Sequence, residues 1–292
     1  MKNRFTLSPV MWGSLSFILG DAIASYVTAR ELTYLRVNPD VVLPRVQTQF
    51  PLLYFFGAVV IIGLLLFLIP LDKLKWVFKF LFVLVYAWGV FMVFTLIFQT
   101  QLILIMAVAA AAGTAWFFRP SVWLQNILML LALVSLGAVF GVLLTPWPIM
   151  IFLLVVALYD FLAVRIGYMM WMANKMTQSD SLPAFVIPKT NSNWNHNLKT
   201  NGTQTIIEGE ASEREYSILG GGDIGFPLIL MVSVRAAYGF WSSILVAAFS
   251  LIGLIAAFVI QSRFLKGKPM PALPPISAAS LIGLLIVYFS NR

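Results

Sequence analysis

Nine blocks of about 20 mostly apolar residues, each long enough to cross a bilayer as a helix, divide this chain and leave few folds open to it. A helix of that length bonds its own backbone groups, which is what the hydrocarbon interior demands. The blocks run about 9–28, 51–70, 76–98, 101–118, 122–143, 148–172, 218–237, 240–260 and 270–289. Of the 292 residues, 61% are hydrophobic and only 10% charged. Soluble domains average about 45–50% and about 25%. The prediction is an all-α membrane protein with nine transmembrane helices. No internal repeat stands out, so residues 1–292 are read as a single polytopic membrane domain. Only two connections are long, 29–50 and the polar segment 173–217.

Orientation follows from the cations. An inside N-terminus places 14 of the 19 Lys and Arg residues on the inner side and five on the outer side, in line with the positive-inside rule. The N-terminus and the loop 173–217 are then cytoplasmic, and the C-terminus lies outside. The same topology accounts for the net charge of +8 without nucleic acid.

The polar inventory excludes much chemistry. There is no cysteine, and the only histidine is His196. Thiol nucleophiles and zinc sites built on cysteine or on paired histidines are therefore out of reach, and no metal or other cofactor is expected. His196 lies in a polar loop and is expected to be solvated.

Three acids stand inside apolar blocks: Asp21, Asp160 and Asp223. A charge at mid-membrane costs at least about 2.5–3.5 kcal/mol on insertion scales, so such residues carry function by default. Asp160 lies five residues before Arg165 on an inward-running span, and Asp223 lies five residues after the start of the next. Both should therefore sit about 7–8 Å below the same face, at about 1.5 Å per residue, and meet if their helices are neighbours. Two facing carboxyls cannot both ionise and so share one proton. The ionised member can activate water while the protonated one polarises a peptide carbonyl, with no metal, Cys or His. Asp21 stands alone beside Ser25 and is expected to serve packing or a water cavity.

Two further segments fit that chemistry. Gly220, Gly221 and Gly222 precede Asp223 and keep side chains away from where a substrate backbone would approach. Pro269 to Pro275 holds four prolines that no regular helix continues, which places an irregular backbone at Pro271-Ala272-Leu273. Such a backbone is tolerated at membrane depth only inside protein or beside a water-filled cavity.

Tyr159-Asp160, Gly220-x-Gly222-Asp223 and Pro271-Ala272-Leu273, in that order and on the sixth, seventh and ninth predicted spans, together resemble the presenilin and signal peptide peptidase family of GxGD intramembrane aspartyl proteases. The resemblance covers the whole chain and implies Asp160 and Asp223 as the catalytic pair. It implies Pro271, Ala272 and Leu273 as the segment that shapes the site and touches substrate. Tyr159, Gly220, Gly221 and Gly222 are expected to support the site, Tyr159 as a hydrogen-bond partner of the dyad or as a buried aromatic. The long inner loop is presenilin-like and Asp223-Ile224-Gly225-Phe226-Pro227 is closer to the signal peptide peptidase pattern, so a compact prokaryotic, archaeal-type presenilin homologue fits best.

The resemblance implies single-span membrane proteins as substrates and the lipid bilayer as the protein's surroundings, in a prokaryotic cell membrane. Homo-oligomerisation is left open. Substrate is expected to unwind near the inner face and pair as a strand with the enzyme. Thr203-Gln204-Thr205-Ile206-Ile207 has a β-prone composition that could supply the edge, although so short a run is more often an ordinary loop. Pro183 to Pro188 is an apolar insert that either docks over the site, is cleaved by the enzyme itself, or is a surface clip. The rival class is a proton- or ion-coupled transporter or leak channel using the same aspartates.

Overall fold

The computed structural model describes residues 7–38, 40, 71–98, 101–167, 182–189, 191–198, 215–263 and 270–292. The predicted span 51–70 and the β-prone segment 203–207 lie outside the described residues. In chain order the helices are α1 (Leu7–Val37), α2 (Leu71–Phe98), α3 (Leu102–Phe118), α4 (Val122–Leu143) and α5 (Pro146–Ile166). The strands β1 (Ala184–Pro188) and β2 (Tyr216–Gly220) follow, then α6 (Gly221–Tyr238), α7 (Phe240–Arg263) and α8 (Leu273–Ser290). Six of these helices, α1, α2, α4, α5, α7 and α8, are long and apolar enough to cross a membrane.

The helix α6 is not among those six, although it lies deepest. Ten of its residues are buried, from Gly221 to Val234, and it belongs to both main hydrophobic clusters. One cluster joins it to α1, α2, α4 and α7 through residues such as Phe17, Tyr86, Leu228 and Leu254. The other joins it to α5 and α8 through Met150, Leu153, Leu230 and Leu284. A helix sheathed by protein need not be apolar enough to dissolve in lipid, which lets α6 carry Gly221, Gly222, Asp223 and Arg235.

The ends are set by local chemistry. Pro146 opens α5, where its missing N–H costs nothing, and Gly167 at φ 77° closes it. Gly239 at φ 90° closes α6 and is the single residue before α7 begins. The close approach of α7 to α8 needs Gly253, because a Cβ there would stand 2.6 Å from the Ile276 Cα. Ser250 and Ser280 share a 2.7 Å hydrogen bond across the same contact.

The helix α2 begins at Leu71 rather than near 76 and α5 ends at Ile166 rather than near 172, and two differences from the sequence reading are larger. The first helix runs on to Val37 rather than ending near residue 28. Hydropathy marks where a helix leaves apolar surroundings, not where it ends. The polar tail is stitched by i,i+4 contacts, including the Arg30 guanidinium over the Tyr26 ring at 5.5 Å. The second difference is an addition to the all-α prediction. Residues 216–220, partly assigned to the seventh span, form a strand instead. They pair antiparallel with 184–188, Ala184 opposite Gly220 and Pro188 opposite Tyr216. All five residues of β1 are buried, so the apolar insert is no surface clip. Its alternating side chains enter two clusters, Phe185 and Ile187 toward the helices, Ala184 and Val186 toward Val122 and Leu198.

Candidate active site

Asp160 lies on the one stripe of α5 that faces protein. Ile149, Leu153, Ala157, Asp160 and Ala163 are buried, while Leu158, Phe161 and Leu162 face outward. Helical periodicity therefore puts this acid inside the bundle, 4% exposed, rather than in lipid. The Leu273 N–H donates to Asp160 Oδ2 at 3.3 Å, and the Ala272 N–H also bonds this carboxyl. These amides belong to the first turn of α8, where the next two residues, Pro274 and Pro275, have no N–H to offer. The prolines thus leave Ala272 and Leu273 as the donors of that helix start, and both serve Asp160. Its other oxygen, Oδ1, is buried with no hydrogen-bond partner among the described residues.

Asp223 is set differently. It falls in the first turn of α6, immediately after β2, and accepts a hydrogen bond from the Gly220 N–H. The charge of Asp160 reaches it, so the two acids form an electrostatic pair on adjacent helices. The glycines have separate reasons. A Cβ on Gly220 would lie 3.1 Å from Asp223 Oδ2. One on Gly221 would collide with Met129 Cε and sit 3.2 Å from the Pro183 carbonyl oxygen, and one on Gly222 would press on the Phe226 ring at 2.9 Å. Pro227, four residues on, has no N–H to close the helix onto the Asp223 carbonyl.

Asp223 opens onto a cavity of about 60 Å³, walled by Ile218 and Leu219 of β2, Leu254 and Phe258 of α7, and Ala272. That volume takes a small cluster of water molecules. The β2 strand therefore runs along the cavity and ends at the acid. The hydrogen bonds from Lys189 N–H to the Glu215 carbonyl at 2.9 Å and from Gly221 N–H to the Pro183 carbonyl at 3.1 Å fix the ladder's phase. By alternation Phe185–Leu219 and Ile187–Ser217 are the bonded pairs, and Val186 and Ile218 turn their main chains to opposite outer edges.

The remaining sequence expectations find their places. Tyr159 is 57% exposed on the face of α5 next to the buried stripe, so it is not the buried aromatic one reading allowed. His196 is half-buried rather than fully solvated, with Nδ1 2.8 Å from the Tyr216 hydroxyl at the start of β2. Burial and the neighbouring Glu215 push the Tyr216 phenol up, which keeps it neutral in this contact. Asp21 Oδ1 is buried without a hydrogen-bond partner among the described residues. No described group of three or more His, Cys, Asp or Glu residues is arranged to hold a metal ion. Sequence reasoning passed over Gln125 and Asn126, whose amides hold the main chain at Leu182 and Val186. Two adjacent amides in an apolar span were the available signal.

The model of the family described as signal-peptide peptidase, presenilin aspartyl protease matches residues 41–292. The chain belongs to this family. The protease has the fold of two solved structures, each of a presenilin family intramembrane aspartate protease. The one in space group C222 is 18% identical, covers 96% of this chain and 98% of its own, and superposes with a TM-score of 0.66. The one in space group P2 is also 18% identical, covers 92% and 96%, and gives a TM-score of 0.60. No curated protein matches the protease.

Proposed function

We propose that this intramembrane aspartic endopeptidase uses Asp160 and Asp223 as its catalytic dyad to hydrolyse peptide bonds within the transmembrane segments of single-span membrane proteins. The observation that carries the assignment is that Asp160, buried and held by the Ala272 and Leu273 amides, acts by its charge on Asp223, which shares a cavity with Ala272. The ionised member takes a proton from water, and the oxygen attacks the scissile carbonyl carbon. The protonated partner gives its proton to the carbonyl oxygen. Collapse of the resulting gem-diol breaks the C–N bond as one proton passes from the dyad to the leaving nitrogen, and a gem-diol hydroxyl gives its proton back to the dyad as it becomes the new carbonyl.

The rest of the site divides by task. The Ala272 and Leu273 amides hold the Asp160 carboxyl, Ala272 also lines the cavity that receives substrate, and Pro271 completes the segment assigned to substrate contact. Gly220, Gly221 and Gly222 admit the Asp223 carboxyl and the close packing around it, and Tyr159 stands at the outer side of Asp160. An unwound substrate segment adds as a strand to the outer edge of β2, because the outward N–H and C=O of Ile218 meet no partner among the described residues. This assigns to 216–220 the task that composition suggested for 203–207.

The protease is an integral, multi-pass membrane protein. The reading adds nine spans with the N-terminus in the cytoplasm, a prokaryotic cell membrane, and no nucleic-acid partner or cofactor. The deciding test incubates purified protein in lipid bilayers with a single-span substrate. Cleavage should vanish in Asp160→Ala and in Asp223→Ala alike. Cleavage that survives either change overturns the dyad, and ion flux that persists in the double variant would support transport instead.

A further inference from the structure

The two edges of the β1–β2 hairpin are not equivalent. Three residues of β1 turn their main chains away from β2: Ala184, Val186 and Pro188. Ala184 N–H is taken by the Leu182 carbonyl at 2.8 Å, and Pro188 has no N–H. Val186 remains, and Asn126 of α4 takes both its groups. The Asn126 amide nitrogen donates to the Val186 carbonyl at 2.7 Å, and the Val186 N–H donates to Asn126 Oδ1 at 2.9 Å. One side chain thus imitates the neighbouring strand that this edge lacks. On the opposite edge, the Gly220 N–H is bound to the Asp223 carboxyl and Ile218, two residues away, is open.

We propose that Asn126 is a positioning residue that closes the α4 side of the hairpin, so that a substrate strand adds only at the Ile218 edge and in one register relative to Asp223. The inference rests on the protease reading above. β2 runs straight into α6 and carries Asp223 with it, so a strand on the Ile218 edge meets the acid in one alignment. A strand admitted to an open Val186 edge, in a sheet whose alignment repeats every two residues, about 6.8 Å, would present a different peptide bond. The side chain must both donate and accept at one place. Asparagine does so without charge, whereas leucine of similar size does neither. The adjacent Gln125 donates to the Leu182 carbonyl at 2.9 Å while accepting from Trp116 Nε1 at 2.6 Å, which anchors the strand's approach to the same helix end.

The test compares wild type with Asn126→Leu and Asn126→Asp, full-length in bilayers, on one single-span peptide, reading KM, kcat and the cleaved bonds by mass spectrometry. Asn126→Leu should raise KM about fivefold, the scale of one net hydrogen bond, with kcat changed less and with new cleavage at bonds displaced along the peptide. Asn126→Asp supplies a check that does not depend on leucine being tolerated. A protonated carboxyl donates and accepts as the amide does, so its cleavage pattern should match wild type at low pH and scatter as pH rises, while wild type stays fixed. Unchanged KM and cleavage positions in Asn126→Leu, or pH-independent positions in Asn126→Asp that match wild type throughout, overturn the inference. Cleavage that disappears in Asp160→Ala and Asp223→Ala but is indifferent to Asn126 sinks this inference alone. Cleavage indifferent to the aspartates sinks the protease reading and this one with it.

Discussion

Asp160 and Asp223, the proposed dyad, stand in two unlike settings. Asp160 is a mid-helix residue whose place is dictated by the buried stripe of a continuous α5, and its hydrogen bonds come from a different helix, across 113 residues of chain. Asp223 stands at a helix start and takes its backbone donor from three residues earlier, where a strand gives way to a helix. The first is held by rigid packing and the second by local turn geometry. A dyad built this way has one arm anchored by the bundle and one arm coupled to the strand that lines the cavity. Movement in β2 therefore acts on Asp223 first.

Removing either carboxyl should erase the distinction between the arms. Asp160→Asn and Asp223→Asn should each lower single-turnover cleavage by about 10²–10⁴-fold, and the double variant little further, because the pair acts as a unit. Additive losses would show that the acids work independently.

Milder changes should separate the arms. Gly220→Ala keeps an ordinary backbone, since Gly220 has φ −59° and ψ 139°, but sets its Cβ 3.1 Å from Asp223 Oδ2. A displacement of a few tenths of an ångström at the dyad should reduce kcat about tenfold with the fold intact. Ala272→Pro addresses the other arm by deleting one of the two amides that hold Asp160, for a loss of about fivefold in kcat. Equal insensitivity to both would mean that neither support matters to the chemistry.

Gly221→Ala sharpens the contrast by failing for another reason. Its Cβ meets the flexible end of Met129, which can swing aside, and the Pro183 carbonyl at 3.2 Å, which cannot, so it should lower stability by about 1 kcal/mol as read by thermal unfolding. The smallest effect belongs to a region away from both arms. Ser280→Ala removes the hydrogen bond to Ser250 between α7 and α8 and should cost about 0.6 kcal/mol, with cleavage unchanged.

The legible parts of the site were those whose cost betrays them. A carboxylate in an apolar span and four prolines at a helix start are each expensive enough to stand out by residue type alone. The helices of the described spans emerged for a related reason, since bilayer thickness sets their length. The hairpin was not legible. Ala184 to Pro188 is a five-residue apolar run, too short for its periodicity to tell a buried strand from a helix segment, and its partner lies some thirty residues on. Asn126 passed unnoticed for the same reason, because its only distinction is the main chain it meets 60 residues later.

Sequence alone determined that this chain lives in a bilayer and singled out Asp160 and Asp223 as the acids to test, because lipid imposes a penalty on each polar group that residue identity reveals directly. Tertiary structure decided which amides hold Asp160, which glycine crowds Asp223, and which edge of the hairpin stays open. Those are matters of distance between segments far apart in the chain, set by packing, and no local pattern encodes them.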